Sequence, residues 1–225
     1  MSIRKRKNTA HQAGEIDLAE LLMGGKPQKK DFYVDRPLSR LHTFYLLGTI
    51  GSADEYVDWF DVIRNAGEND VIKIHINSYG GDLFTAIQMM RCLGETSATV
   101  MISVEGACMS AATMVFLMGD MFEVSAHSMF MFHNYSGGAF GKGGEMLDQL
   151  THERAWSEKL LEEVYSDFLT ADEIDQMLNN KDLWMDGDNV VERLKEKAKK
   201  VKDLDEDEEE EELIEDDEDQ MELDL

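Results

Sequence analysis

The chain has 225 residues, 47 of them acidic and 22 basic, which gives a formal net charge of −25. Its length suits one domain with a substantial core. The segment from Asp203 to Leu225 holds 16 of the acidic residues and no basic one, so the remainder carries only −9, from 31 acidic and 22 basic residues. Nucleic acids and anionic membranes both require a basic protein surface, and we therefore expect neither as a partner.

The N-terminus and the cysteines predict a cytoplasmic protein. No run of about 18 apolar residues is present, and the N-terminal charges are not followed by the apolar segment of a signal peptide. Cys92 and Cys108 lie within apolar stretches and lack the spacing of a metal site. This pattern is typical of small buried residues in a reducing compartment rather than of a disulfide.

Three segments differ in composition. Residues 1–40 are polar and basic and form a predicted N-terminal arm. Residues 41–200 show the alternating strand and helix patterns of one folded domain. Residues 201–225 form an acidic tail, which we expect to be disordered because a block of like charge buries too little apolar surface to offset chain entropy.

Two strand-helix-strand units open the predicted domain. Phe44–Gly48 is a short apolar run typical of a strand, and Ser52–Glu55 is a capping box that predicts the start of a helix. Val71–Ile76 predicts the second strand. A helix with an apolar face starts at Leu83 and leads to a third buried strand, Ala98–Val104. This alternation predicts an α/β fold with a mainly parallel sheet flanked by helices.

The second half of the domain is predicted to add two short strands and four helices. The strands are Phe122–Val124 and Met129–Phe132, and the helices are Met109–Leu117, a long charged helix Glu145–Asp167, Asp172–Leu178 behind a capping box at Thr170, and Gly187–Lys200. A glycine-rich loop precedes the long helix but lacks the Gly-Lys-Ser ending of a phosphate-binding loop.

Three short segments could carry chemistry, although each has an ordinary structural explanation. Ser110 lies among small residues at a strand-to-helix junction, where a serine can also simply cap the helix. Gly80 and Gly81 follow a strand and could direct backbone amides at a ligand, or merely form a turn. His133 ends a strand, and strand ends of open parallel sheets are where binding sites gather.

Taken together, these segments resemble the proteolytic subunit of the Clp protease, a family within the crotonase-like superfamily. Ile76–Gly81 is similar to the family's glycine-pair segment, Gly106–Ala112 to its nucleophile segment, and Ser128–His133 to its histidine segment. The three occur in the family's order, and the resemblance extends over about residues 40–194. It implies the fold of that family, with the long helix in the region of its handle.

The resemblance also implies roles for individual residues. Ser110 would be the nucleophile, His133 the general base, and the backbone N–H groups of Gly81 and Ala111 the oxyanion donors. Two aspartates could match the family's acid, Asp167 and Asp182. We favour Asp182 because the helices predicted before and after it match those that flank the family's aspartate.

A serine endopeptidase of this family needs no metal or organic cofactor and acts on protein and peptide substrates through an acyl-enzyme. The family stacks two seven-membered rings around a chamber that unfoldase ATPases feed, which implies a homo-oligomer and a possible ATPase partner. Tyr79 stands where the family has proline, and the arm and the acidic tail depart from the family's pattern. Such members resemble bacteriophage-encoded peptidases of head maturation, which act in the host cytoplasm.

Two other classes of function remain open from the sequence. Fold alone does not establish activity, so the chain could be a catalytically inactive crotonase-like structural or assembly protein. An acyl-CoA hydratase or isomerase would use oxyanion amides on the same superfold without a nucleophilic serine. The presence of both Ser110 and His133 favours the peptidase.

Overall fold

The computed structural model describes residues 39–199. The predicted arm up to residue 38 and the predicted acidic tail lie outside the described residues. Within them the chain alternates strands and helices in the predicted manner.

A six-stranded, mostly parallel sheet organises the domain. The strands are β1 Leu41–Ile50, β2 Val71–Gly81, β3 Thr99–Met109, β4 Met121–Val124, β5 Met129–Phe132 and β6 Leu183–Asp186. Their order is β1-β2-β3-β5-β6, and β4 also pairs with β3. Every pairing is parallel except that of β5 with β6, which is antiparallel. The predicted fold class, a mainly parallel sheet flanked by helices with one long helix, is therefore confirmed.

Six helices accompany the sheet in the described part of the chain. They are α1 Val57–Asn65 behind a 3₁₀ turn Ala53–Tyr56, α2 Leu83–Glu95, α3 Ala111–Phe116, the long α4 Gly143–Tyr165, α5 Ala171–Leu178 and α6, residues 187–199. Among the helices of residues 39–199, none combines the length and apolarity needed to cross a membrane.

One face of the sheet forms the core with the helices. Ile72, Ile74 and Ile76 of β2 are at most 2% exposed because alternate side chains of a strand point to the same face. Burying each contributes about 1.5–3 kcal/mol. The opposite face of the outer strands carries large apolar side chains that are about half exposed or more, namely Leu41, Tyr45, Leu47, Met121, Met129 and Trp184.

The central strands are longer than predicted because polar side chains support their ends. The prediction ended β2 at Ile76 and β3 at Val104, yet pairing continues to Ser78 opposite Cys108 after an irregularity in register. The hydroxyl of Ser78 is fully buried and donates to the Gly48 carbonyl at 2.8 Å. Because these polar residues satisfy one another, apolar pattern alone could not locate the strand ends.

Other boundaries also differ from prediction. The predicted helix from Met109 begins only at Ala111, since Met109 still pairs in β3 and Ser110 has a non-helical backbone. The long helix runs over Gly143–Tyr165, two residues earlier than predicted. Strand β6 was not predicted, because four residues, of which Met185 is buried and Trp184 exposed, are too short a run to establish a strand period.

Candidate active site

Ser110 lies on a strained turn between β3 and α3. Its φ of 54° and ψ of −131° are unusual for a residue with a side chain and cost about 1–3 kcal/mol. Its N–H donates to the Met131 carbonyl of β5 at 2.8 Å, and its carbonyl accepts from the N–H of Thr113 at 2.9 Å. Backbone held in such a conformation by its surroundings is a feature of functional sites.

Gly80 allows the end of β2 to approach this turn. Its φ is +86°, and a Cβ added there would lie 2.6 Å from Cβ of Ser110 and 2.7 Å from the Met109 carbonyl oxygen. No side chain fits at such distances, so glycine is required for the close contact. Gly80 of the glycine pair is therefore needed for the turn at Ser110 to pack against the end of β2.

His133 contacts Ser110 directly. It directly follows the last residue of β5. Strand β5 pairs with the end of β3, where Met131 lies opposite Met109. This pairing places both residues at the carboxyl edge of neighbouring parallel strands. The distance from His133 Nε2 to Ser110 Oγ is 2.6 Å. The hydroxyl can donate to Nε2 when the ring proton is on Nδ1.

Asp182 reaches His133 through the antiparallel pair of β5 and β6. Phe132 lies opposite Leu183 in that register, so continuing it by one step sets His133 opposite Asp182. The distance from Asp182 Oδ1 to His133 Nδ1 is 3.8 Å. This exceeds the range of a direct hydrogen bond but permits charge attraction. The side chain of Asp182 is 52% exposed.

A Schellman-type motif at the end of α5 directs the chain towards Asp182. The N–H of Lys181 donates to the Gln176 carbonyl at 3.0 Å, and the N–H of Asn180 to the Met177 carbonyl at 2.9 Å. Asn180 has a φ of +66°, which asparagine tolerates better than most residues. The side chain of Asn134 donates to the Leu178 carbonyl at 3.4 Å, which links the segment after His133 to this helix end.

The other candidate acid lies elsewhere. Asp167 is exposed and lines a separate polar pocket with Arg193 and Glu196. Among the described residues, the ion pair of His133 within 4.0 Å is with Asp182 and not with Asp167. The geometry therefore favours Asp182 of the two positions that the sequence left open.

A cleft of about 550 Å³ opens around Ser110 and His133. Gly81 and Ala111, the predicted oxyanion donors, both belong to its wall. Ala111 is the first residue of α3, where N–H groups have no partner within the helix. The glycine-rich loop after His133 contributes Ser136, Gly137 and Gly138 to the lining of the cleft.

A buried hydroxyl pair supports the serine turn from behind. Thr113 Oγ1 donates to the Ser110 carbonyl at 2.7 Å and lies 2.7 Å from the hydroxyl of Tyr165. Burial raises the pKa of Tyr165, so this phenol stays neutral and acts as a hydrogen-bonding group. Sequence patterns did not single out Thr113, Asn134, Tyr165 or Asn180. Only an asparagine after a helix was a recognisable signal.

Competing chemistries find little support in the described residues. Cys108 is fully buried, and burial raises the pKa of its thiol, so it is not a second nucleophile. Cys92 and Cys108 are both buried and unpaired, as the sequence predicts. Within residues 39–199 no group of three or more histidine, cysteine, aspartate or glutamate side chains is arranged to hold a metal ion.

Comparison with known proteins agrees with this architecture. The family model described as Clp protease matches residues 50–193, which is more than half of the chain. No curated protein matches the chain with significant similarity. The match includes the glycine pair, the serine turn, His133 and Asp182, and membership of a protease family supports peptidase activity. The chain belongs to the Clp protease family.

Proposed function

We propose that the chain is a serine endopeptidase in which Ser110 is the nucleophile, His133 the general base and Asp182 the acid. The observation that carries this proposal is the 2.6 Å contact between His133 Nε2 and Ser110 Oγ. A hydroxyl is a weak nucleophile unless an adjacent base removes its proton. The strained backbone of Ser110 at the cleft also favours a catalytic over a capping role.

In this mechanism Ser110 Oγ attacks the scissile carbonyl carbon while His133 Nε2 takes the hydroxyl proton. The N–H groups of Gly81 and Ala111 stabilise the oxyanion that forms. His133 then gives its proton to the leaving amine, which breaks the C–N bond and leaves an acyl-serine. A water molecule attacks the acyl carbon, again with His133 as base, and releases the carboxylic acid and free Ser110.

Asp182 orients the imidazole and stabilises the imidazolium during transfer. The separation of 3.8 Å between Asp182 Oδ1 and His133 Nδ1 is compatible with this role because catalytic contacts are often long without substrate. A shift of about 1 Å would convert the ion pair into a hydrogen bond.

The peptidase is further proposed to work as a homo-oligomer that encloses its sites. Proteins of this family generally form oligomers that degrade protein substrates, and the large apolar side chains on the free sheet face, such as Leu47 and Trp184, are typical of an interface. Stacked heptameric rings, an unfoldase ATPase, a cytoplasmic site of action and a bacteriophage role stay predictions from family resemblance.

Labelling with a fluorophosphonate probe tests the proposed nucleophile. The full-length protein should be labelled at Ser110, with no labelling of Ser110→Ala and weak labelling of His133→Ala. Parallel size measurements show whether each variant keeps its assembly. An intact oligomer that is not labelled would contradict the proposal and favour an assembly protein or an acyl-CoA enzyme.

A further inference from the structure

One face of α4 passes from buried side chains to a partly exposed carboxylate in the cleft. The side chains of Tyr165, Leu161 and Ser157 follow one another at intervals of four residues and are 1%, 4% and 1% exposed. Such spacing keeps side chains on one helix face. Glu153 is the next residue in this row, is only partly buried, and lines the same cleft. The row thus runs from buried side chains to a partly exposed carboxylate that lines the cleft.

An aromatic pair lies beside this carboxylate. Trp156 is three residues after Glu153 on α4, and its ring stacks on that of Phe84 with centroids 5.6 Å apart and an interplanar angle of 25°. Both rings line the cleft, and Phe84 remains 70% exposed. Exposed aromatic rings beside a substrate cleft can cover an alkyl chain or attract a cation.

The carboxylates that line the cleft are not balanced by lysine or arginine side chains in its lining. Its lining includes the carboxylates of Asp82 and Glu153, two histidines, and no lysine or arginine. Asp82 accepts a hydrogen bond from the Thr85 N–H at 2.7 Å as the N-cap of α2. Glu153 Oε1 accepts from Gln149 Nε2 at 2.6 Å, and in the described part of the chain its other oxygen, Oε2, has no hydrogen-bond partner. Within residues 39–199 no lysine or arginine forms an ion pair with Glu153.

Neighbouring basic groups on α4 do not neutralise this carboxylate. Arg154 donates through Nε to Glu158 at 2.9 Å, and neither residue belongs to the cleft. Lys159 pairs with Glu163 at 3.9 Å, also outside the cleft. The negative charge of Glu153 is therefore available to a substrate.

We propose that the cleft mouth formed by Glu153, Trp156 and Phe84 binds a lysine or arginine side chain of the substrate, close to the bond that is cleaved. The aliphatic stem would lie against the stacked rings, and the cationic end would reach the Glu153 carboxylate. The apolar floor at Met114 and Leu161 would hold a second, uncharged side chain. This specificity rests on the proposed function.

The test uses the full-length protein and internally quenched octapeptides with one cleavable bond after leucine. A single lysine is moved through the other positions, with matched peptides that carry norleucine or glutamate there. Assays at about pH 8 keep ordinary imidazoles neutral. At one position we expect kcat/KM for lysine to exceed that for norleucine by about 5- to 10-fold and that for glutamate by more.

Glu153→Gln should bring kcat/KM for the lysine peptide to within about twofold of that for the norleucine peptide measured with the same variant. Trp156→Leu should lower the lysine preference in part, because stacking and cation–π attraction are lost. Glu162→Gln is the matched control, since this exposed residue of α4 lies outside the cleft and undergoes the same loss of charge. Its peptide preference should be unchanged.

Fluorophosphonate labelling separates the two proposals. If wild-type protein is not labelled at Ser110, the proposed function fails. If it is labelled but prefers norleucine or an aromatic residue at every position, only the basic specificity is overturned. A lysine preference that survives Glu153→Gln in a normally labelled protein would also overturn it.

Discussion

The two sides of the proposed triad are built in different ways. Ser110 stands on the central part of the parallel sheet, where β2, β3 and β5 all constrain its turn and its backbone is hydrogen-bonded to β5. Asp182 precedes the edge strand β6 and is 52% exposed, with its nearest carboxylate oxygen 3.8 Å from the imidazole. Tertiary packing thus constrains the proposed nucleophile on several sides, whereas the position of the proposed acid depends on the register of one short antiparallel pair.

Removing the nucleophile should have the largest effect. Ser110→Ala is expected to lower kcat for peptide hydrolysis by about 10⁴- to 10⁶-fold, because the proposed mechanism forms the acyl-enzyme on Ser110 Oγ. Thermal unfolding should change little, since alanine keeps the Cβ and the backbone conformation of the turn and loses only the hydrogen bond to His133. Cleavage at near wild-type rate would mean that a different residue is the nucleophile.

Replacing Asp182 should lower kcat less than replacing Ser110, because Asp182 lies 3.8 Å from His133 and Ser110 only 2.6 Å. Asp182→Asn is expected to reduce kcat by about 10²- to 10⁴-fold, because the imidazole loses its orienting charge. Asp167→Asn is the matched control and should remain within about twofold of wild type. Equal losses in both variants, measured by steady-state hydrolysis of one peptide, would contradict the assignment of Asp182.

Substitution of Gly80 tests how tightly the turn at Ser110 is packed against β2. Gly80→Ala should destabilise the fold by about 2–3 kcal/mol and abolish fluorophosphonate labelling, because the added methyl group collides with the Ser110 turn. Urea unfolding provides the measurement. Gly144→Ala is the control, since an added Cβ there meets nothing within 4 Å. The control should change stability by less than about 1 kcal/mol.

An ion pair between the helices that precede and follow Asp182 should make a pH-dependent contribution to the free energy of unfolding, smaller than the effect of Gly80→Ala. Arg193 of α6 donates two hydrogen bonds to Glu173 of α5, at 2.6 and 2.9 Å. This contact with Arg193 holds the pKa of Glu173 below its ordinary value. A depressed carboxyl pKa stabilises the fold above the unfolded pKa of about 4.3, and this contribution is lost as pH falls through the folded value.

Glu173→Gln should therefore lower the free energy of unfolding by about 1 kcal/mol near pH 7. The difference from wild type should begin to shrink below the unfolded pKa of about 4.3 and disappear as pH falls through the lower folded value. Urea unfolding at neutral pH and across this acidic range measures this change. Glu162→Gln, at an exposed position of α4, should show no such pH dependence. A gap that persists at acid pH would exclude an electrostatic origin.

Local patterns in the sequence predicted much of the fold. The apolar strands around Ile74 and Ile102 were identified because their side chains are buried on one face. The capping box at Thr170 was predicted correctly, and its N–H donates to Glu173 at 2.9 Å. Strand β6 was missed because a run of four residues at a sheet edge is too short to show the alternation that predicts a strand, although Met185 is buried and Trp184 exposed.

The sequence alone also determined the candidate nucleophile and base, since Ser110 and His133 lie in recognisable segments at predicted strand ends. Tertiary structure decided which aspartate faces the imidazole, because the antiparallel register of β5 with β6 has no local sequence signal. It likewise brought together Glu153 and the stacked rings of Phe84 and Trp156. Spacing within one element can be read from sequence, whereas contacts between elements depend on packing of the whole sheet.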